Sequence, residues 1–312
     1  MNFILKVVRY DLNRLKWIGL LKMIIDTFPF NKDFNALKIR LSELYNIVDL
    51  FVVAESAYTH TGKKKPLYLS ENLHQFSKFS SKIKIVSNKK KYLTLNPRVR
   101  EARQRELITR YLKSIKLTKK DLIIHSDCDE IPRGKIIADI KKTNTTCNIL
   151  LELSAYSTRL NLYEGQWTRG RVVSGDLFKS IAKMRQDIFL FSNLDLRRHN
   201  FPLIRVSDFF SHRYFGLWNL PQIVWGKPEI TVIKNGGWHF NNLFQLDQII
   251  EKIESSSHKE LNTEEIKSKV LERHRAGQDV YTGKQYKIMP LDQSFPKCIH
   301  ENLVEWTDYI LT

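Results

Sequence analysis

The sequence predicts an α/β protein built on an open, mostly parallel sheet with helices on both faces, followed by a helical extension at its C-terminal end. Three observations lead there. Four short apolar runs, MIIDTF from Met23, DLFVVAES from Asp49, KIKIV from Lys82 and DLIIHSD from Asp121, have the length of buried strands and polar boundaries. Helical patterns lie between them, in ALKIRLSELYNI and in NPRVREARQRELITRYLKSI. The second half changes character, with strand-like NILLELSAY and ITVIKNGGWHF giving way to helical runs that stop at Gly277.

Taken in order, residues 1–22 read as a basic amphipathic segment, because Lys6, Arg9, Arg14 and Lys16 interrupt an otherwise apolar start. A turn at Pro29 separates the first strand from the first helix. Asn96 and Pro97 form a helix start, with proline placed where its missing N–H costs nothing. GDLFKSIAKM, FQLDQIIEKIESSSHKE and TEEIKSKVLERHRAG continue as helices. The expected organisation is one unit from about residue 23 to the end. Its first half runs to about 135, its second to about 262, and the helical extension follows from about 263.

The 312 residues include 42% apolar side chains, enough for a full core. No run approaches the roughly 20 apolar residues of a membrane span. Cys128, Cys147 and Cys298 are too few for a disulfide framework, so a reducing, cytoplasmic setting is expected. Lysine and arginine outnumber the acids 51 to 33, for a formal charge of +18. Such a surface suits an anionic partner: nucleic acid, a phosphate-bearing substrate, or the anionic inner face of a membrane. The basic residues are scattered and no nucleic-acid-binding motif accompanies them, so nucleic acid is not expected.

Chemistry concentrates in DLIIHSDCDEIPRG, where Asp127, Asp129 and Glu130 follow an apolar run. Ligands of open α/β sheets bind beyond the carboxyl ends of the strands. In an extended segment Asp127 and Asp129 share a side. Two carboxylates on one side suit Mg²⁺ or Mn²⁺, hard cations that keep positions open for phosphate oxygens. The alternative is a solvated acidic turn, with Asp129 or Glu130 at a helix N-terminus. Glu55 and Ser56 end the strand DLFVVAES, where a nucleoside would sit, unless Glu55 pairs with Arg40 or Arg105. Lys63 and Lys65 in THTGKKKPLYL are within plausible reach of a diphosphate, although lysine runs are usually solvated. Arg100, Gln104 and Arg105 lie on the following helix, Arg100 and Gln104 on one face, where they either orient the acidic site or carry surface charge. Gly236 and Gly237 permit close backbone approach to phosphates. His239 is either a metal or diphosphate contact or a packed histidine beside Trp238.

Four blocks resemble glycosyltransferase family 17, in the family's order: Leu37 to Leu69, DLIIHSDCDEIP (Asp121 to Pro132), VVSG (Val172 to Gly175) and GGWHFNNLFQLDQIIEKIESSSHKE (Gly236 to Glu260). FPKCIHENL looks like its closing segment. The resemblance implies a GT-A fold, a UDP-sugar donor (UDP-N-acetylglucosamine in the best-known members) and inversion at the anomeric carbon, on a glycan or lipid-linked acceptor. It implies Asp127 and Asp129 as the family's D-x-D, joined by His239 of its G-W-H. An inverting transfer needs a general base near the acceptor hydroxyl. The candidates are Asp176 and Glu152, with Tyr163, Trp167 and Trp218 as stacking surfaces. Two departures put donor or acceptor identity in question: Asp33 and Asn35 stand in the family's acidic run, and Asn241 and Asn242 in its Ser-Tyr-type pair. A glycan-binding protein that kept this fold without catalysis is the remaining alternative.

Overall fold

The computed structural model of the chain describes residues 22–94, 96–143, 145–185, 230–255 and 259–311. Positions 1–21 and Trp218 lie outside the described residues. Lys22, the last residue of the basic segment, donates from Nζ to the carbonyl of Lys141 at 2.8 Å and of Thr143 at 3.2 Å.

Four parallel strands form one side of the sheet, β1 (Ile24–Pro29), β2 (Leu50–Ser56), β3 (Ile83–Asn88) and β4 (Leu122–His125). Each falls on one of the four predicted runs. Alternate side chains leave opposite faces of a strand, and here the two faces feed two different cores. Ile24, Phe28, Phe51, Val53, Leu122 and Ile124 pack with Leu37, Leu41 and Leu44 of helix α1 (Phe34–Leu44). Ile25, Val52, Ala54 and Ile123 pack with Ile108 and Leu112. These last two come from a long helix, Pro97–Ser114, on the other face. Burial on both faces explains why the strands read as unbroken apolar runs. The long helix starts as predicted, with the Asn96 side chain accepting from the Arg98 N–H at 3.0 Å.

Beyond β4 the sheet turns antiparallel, and this half was less visible in the sequence. Its strands are β5 (Glu130–Pro132), β6 (Asn148–Ser157), β7 (Leu162–Ser174) and β8 (Thr231–Asn241), with the short β9 (Lys287–Ile288) beside β7. The order is β3-β2-β1-β4-β7-β6-β8-β5. β7 pairs antiparallel with β4 and β6, while β6 and β8 run parallel. Around them lie α2 (Tyr68–Asn72), α3 (the helix Pro97–Ser114), α4 (Gly134–Lys142), α5 (Leu246–Ser255) and α6 (Glu264–Arg275). Of the predicted helix GDLFKSIAKM, only residues from 181 onward are helical. No helix among the described residues is long and apolar enough to cross a membrane.

Candidate functional site

A cleft of about 410 Å³ opens at the carboxyl ends of β1, β2 and β4, where an open α/β sheet places its ligands. The segment after β1 (Phe30 to Asp33), the loop Thr59 to Pro66, α3, the acidic turn and α5 all line it.

The acids in DCDE are held by positive charge from several directions. Arg40, fully buried on α1, forms a two-pronged ion pair with Asp26 (2.6 and 2.7 Å). Its Nη1 donates to the carbonyls of Asp127 and Glu130 at 2.8 and 2.9 Å, and its Nη2 to Ser126 Oγ at 2.9 Å. A single guanidinium therefore ties the backbone of the acidic turn to the sheet. Because Asp127 to Glu130 close a turn, the Glu130 N–H donating to the Asp127 carbonyl at 3.0 Å, the two aspartates meet different partners and do not share a side as alternation predicted. Asp127 faces Arg105 Nη2 (2.7 Å) and Arg185 Nη2 (3.4 Å). Burial would raise its pKa, but these two guanidiniums outweigh it and hold the carboxyl well below the usual range. Asp129 faces Lys252 Nζ (3.6 Å) and His239 Nε2 (3.8 Å). Burial is again overridden, and its pKa is lowered. Both still line the one cleft.

Glu130 is committed to structure. Its carboxylate accepts from the Asp127 N–H (2.8 Å) and from Trp167 Nε1 (2.7 Å). It lies opposite His239 in the β5–β8 register, and the Trp167 ring stacks on the imidazole at 4.7 Å between centroids. Burial disfavours a charged His239, yet Asp129 reverses this and raises its pKa. Its Nδ1 is buried without a partner.

Several predicted residues serve the scaffold. Glu55 is fully buried and accepts from the N–H groups of Leu69 (2.6 Å) and Ser70 (2.9 Å) and from Ser70 Oγ (2.6 Å). It thereby caps α2, and pairs with neither Arg40 nor Arg105 by hydrogen bond. Ser56 Oγ accepts from the Tyr58 N–H at 3.2 Å. Arg100 braces the Thr59–Gly62 loop, donating to the His60 carbonyl at 2.9 Å and to that of Thr94. Gln104 lines the cleft while donating to the Ala54 carbonyl at 2.8 Å. Gly236 and Gly237 fit strand to strand: a Cβ on Gly237 would lie 2.0 Å from the Ile131 carbonyl oxygen. Close approach is needed there, but to β5 and not to a phosphate.

The structure does not bring the two base candidates to the cleft. Asp176 is exposed beside Gly175, whose N–H donates to the Asp121 carbonyl, at the opposite end of β4 from the acidic turn. Glu152 lies opposite Thr168, two residues before Ser154, which pairs with Trp238. That is the sheet face opposite His239.

The lysine loop does reach the cleft. Lys63 is exposed at its rim. Lys65 Nζ is buried with no hydrogen-bond partner, 5.1 Å above the Tyr68 ring. Burial lowers its pKa to about 8, with Glu55 opposing. An unpartnered ammonium facing a cleft suits an anionic ligand. Three further charged residues surround the acidic turn: Asp33, noted in the sequence only as a departure from the family's pattern, and Lys252 and Arg185, which the sequence did not single out. Asp33 has its pKa raised to about 7 by burial and by Asp129 and Asp127. Lys252 is kept charged by Asp33 and Asp129 against burial. Arg185 meets both Asp127 and Glu130. Lys252 and Arg185 lie on helices, where a basic residue follows the same pattern as solvent-facing charge.

Among the described residues no three His, Cys, Asp or Glu side chains converge as a closed metal cage. Asp129 and His239 do offer an oxygen and a nitrogen 3.8 Å apart. An ion that takes the rest of its shell from water and phosphate needs little more.

Residues 14–193 match the sequence model of glycosyltransferase family 17, more than half the chain. The β-1,4-mannosyl-glycoprotein 4-β-N-acetylglucosaminyltransferase of Homo sapiens is 26% identical over 252 residues, 75% of this chain and 43% of that protein. The same enzyme of Rattus norvegicus matches at 26% and that of Mus musculus at 25%, over the same shares. The chain therefore spans under half the length of these curated relatives. With the cleft at the carboxyl ends of the parallel strands and DCDEIP at its centre, the match places this chain in glycosyltransferase family 17.

Proposed function

We infer that the chain transfers N-acetylglucosamine from UDP-N-acetylglucosamine, with inversion, to a hydroxyl of a glycan or lipid-linked sugar. The single observation that best supports a phosphate-bearing donor is the buried, unpartnered ammonium of Lys65 in the cleft that the acidic turn also lines. The relatives' printed activity supports the sugar.

Within this reading Asp129 and His239 would hold Mn²⁺ or Mg²⁺, which would supply charge neutralisation for the departing diphosphate. Arg105 and Arg185 hold Asp127 ionised, and Arg40 keeps the turn in place. Trp167, stacked on His239, offers an aromatic surface next to the site. The three cysteines are free thiols, which agrees with a cytoplasmic setting, and the basic surface suits the inner face of an anionic membrane.

Calorimetric titration with UDP-N-acetylglucosamine, UDP-glucose and UDP-galactose tests the donor. Preferential binding of the first is expected, and equal or absent binding of all three contradicts the reading. Lys65 adds a pH test. Its charge is lost as pH rises through about 8, so UDP affinity should fall over that interval. In Lys65→Gln it should be weaker and flat. A wild-type affinity that does not change there would remove Lys65 from the phosphate site.

A further inference from the structure

The cleft holds more basic side chains than it has free positive charges. Arg105 is engaged by Asp127, and Lys32 forms an ion pair with Glu251. Besides Lys63 and Lys64 on the basic loop, two lining ammonium groups make no hydrogen bond of normal length among the described residues. Lys65 reaches in from the loop after β2. Lys252 reaches in from the last turn of α5, beyond the residues matched by the family model. Its Nζ lies 3.6 Å from Asp129, 4.0 Å from Asp33 and 4.9 Å from the centre of the Phe244 ring. Both oxygen distances exceed a normal N–H···O hydrogen bond. Lys252 thus stays charged, held loosely between two carboxylates, with donor capacity left for a further oxygen.

An anion approaching this cleft meets Asp33, Asp127 and Asp129, all of which repel it. A diphosphate can settle beside them only where fixed cations offset that repulsion. We propose that Lys252 is a phosphate-binding residue that closes a two-cation clamp with Lys65, gripping the diphosphate of a nucleoside diphosphate from two separate elements. The proposal rests on the donor reading above and names a residue of that site. Lys252 also links α5 to the acidic turn, so diphosphate binding and the seating of α5 are coupled through one side chain.

The test is UDP binding to the full chain by calorimetry, in EDTA and in Mn²⁺, with uridine titrated alongside by NMR. A charge-assisted hydrogen bond is worth enough that Lys252→Met should weaken UDP about tenfold or more in EDTA. Uridine, which has no phosphate, should bind as to wild type. Lys252→Arg should recover most of the UDP affinity, and Lys142→Met, on the exposed end of α4, should leave it unchanged. Equal loss of UDP and uridine would make Lys252 a strut for α5 and overturn its phosphate role. Unchanged UDP binding in Lys252→Met would overturn the clamp while leaving the donor reading intact. A wild-type chain that binds no UDP in either buffer would overturn both.

Discussion

Arg40→Met is expected to cost about 3–5 kcal/mol of folding stability, because it leaves the Asp26 carboxylate buried and unpaired. The wild-type guanidinium also sits 4.5 Å from the centre of the Phe28 ring, so cation–π contact is lost as well. Urea denaturation measures the loss. The functional consequence is separable. In Arg40→Met/Asp26→Leu the buried charge is gone from both sides, and a well-packed apolar pair restores much of the stability. The carbonyls of Asp127 and Glu130 still lack their donor. UDP binding should therefore remain impaired in the double variant. Recovery of both stability and binding would reduce Arg40 to a core ion pair with no part in shaping the acidic turn.

Gly237→Ala should be nearly as damaging, at about 3 kcal/mol or more, through two additive effects. Its φ of +151° lies in a region that side-chain-bearing residues rarely adopt. A Cβ there would also meet the Ile131 carbonyl oxygen at 2.0 Å, forcing β8 away from β5. The β5–β8 register sets His239 opposite Glu130, next to Asp129, so the same change should disturb the cleft. Gly165→Ala is the control. Its φ is +145°, yet nothing lies within 4 Å of the added carbon, so only the strain of about 1–3 kcal/mol applies. Equal losses in the two variants would show that contact with Ile131 is not the cause.

How far these features were legible in the sequence depended on burial. β1, β2 and β4 stood out because neighbours on both faces require continuous apolar residues. β7 did not. Its sequence LYEGQWTRGRVVS is largely polar, and register shifts against β6 break its alternation. β5 is three residues long and was hidden inside the acidic motif. The acids themselves were legible, and so was Arg105, which pairs with Asp127, but the other counter-charges were not. Arg40 lies in the amphipathic run ALKIRLSEL, and Lys252 in LDQIIEKIES, where a basic residue reads as surface. Only the fold shows that both helix faces turn toward Asp127 and Asp129. Glu55 was noticed for its place at a strand end, and that place is real. Its partners, the first N–H groups of α2, come from residues too short a helix to recognise in advance.

We propose that Asp129, with His239 and the cations around it, forms a metal-assisted site for a UDP-sugar. The most direct test is calorimetric binding of UDP-N-acetylglucosamine to wild type and Asp129→Ala, each with and without Mn²⁺. Tight binding is expected only for wild type with Mn²⁺, with the metal's effect lost in the variant. If wild type binds no nucleotide sugar, or if Asp129→Ala binds as wild type does in both conditions, the acidic turn is structural and the claim fails.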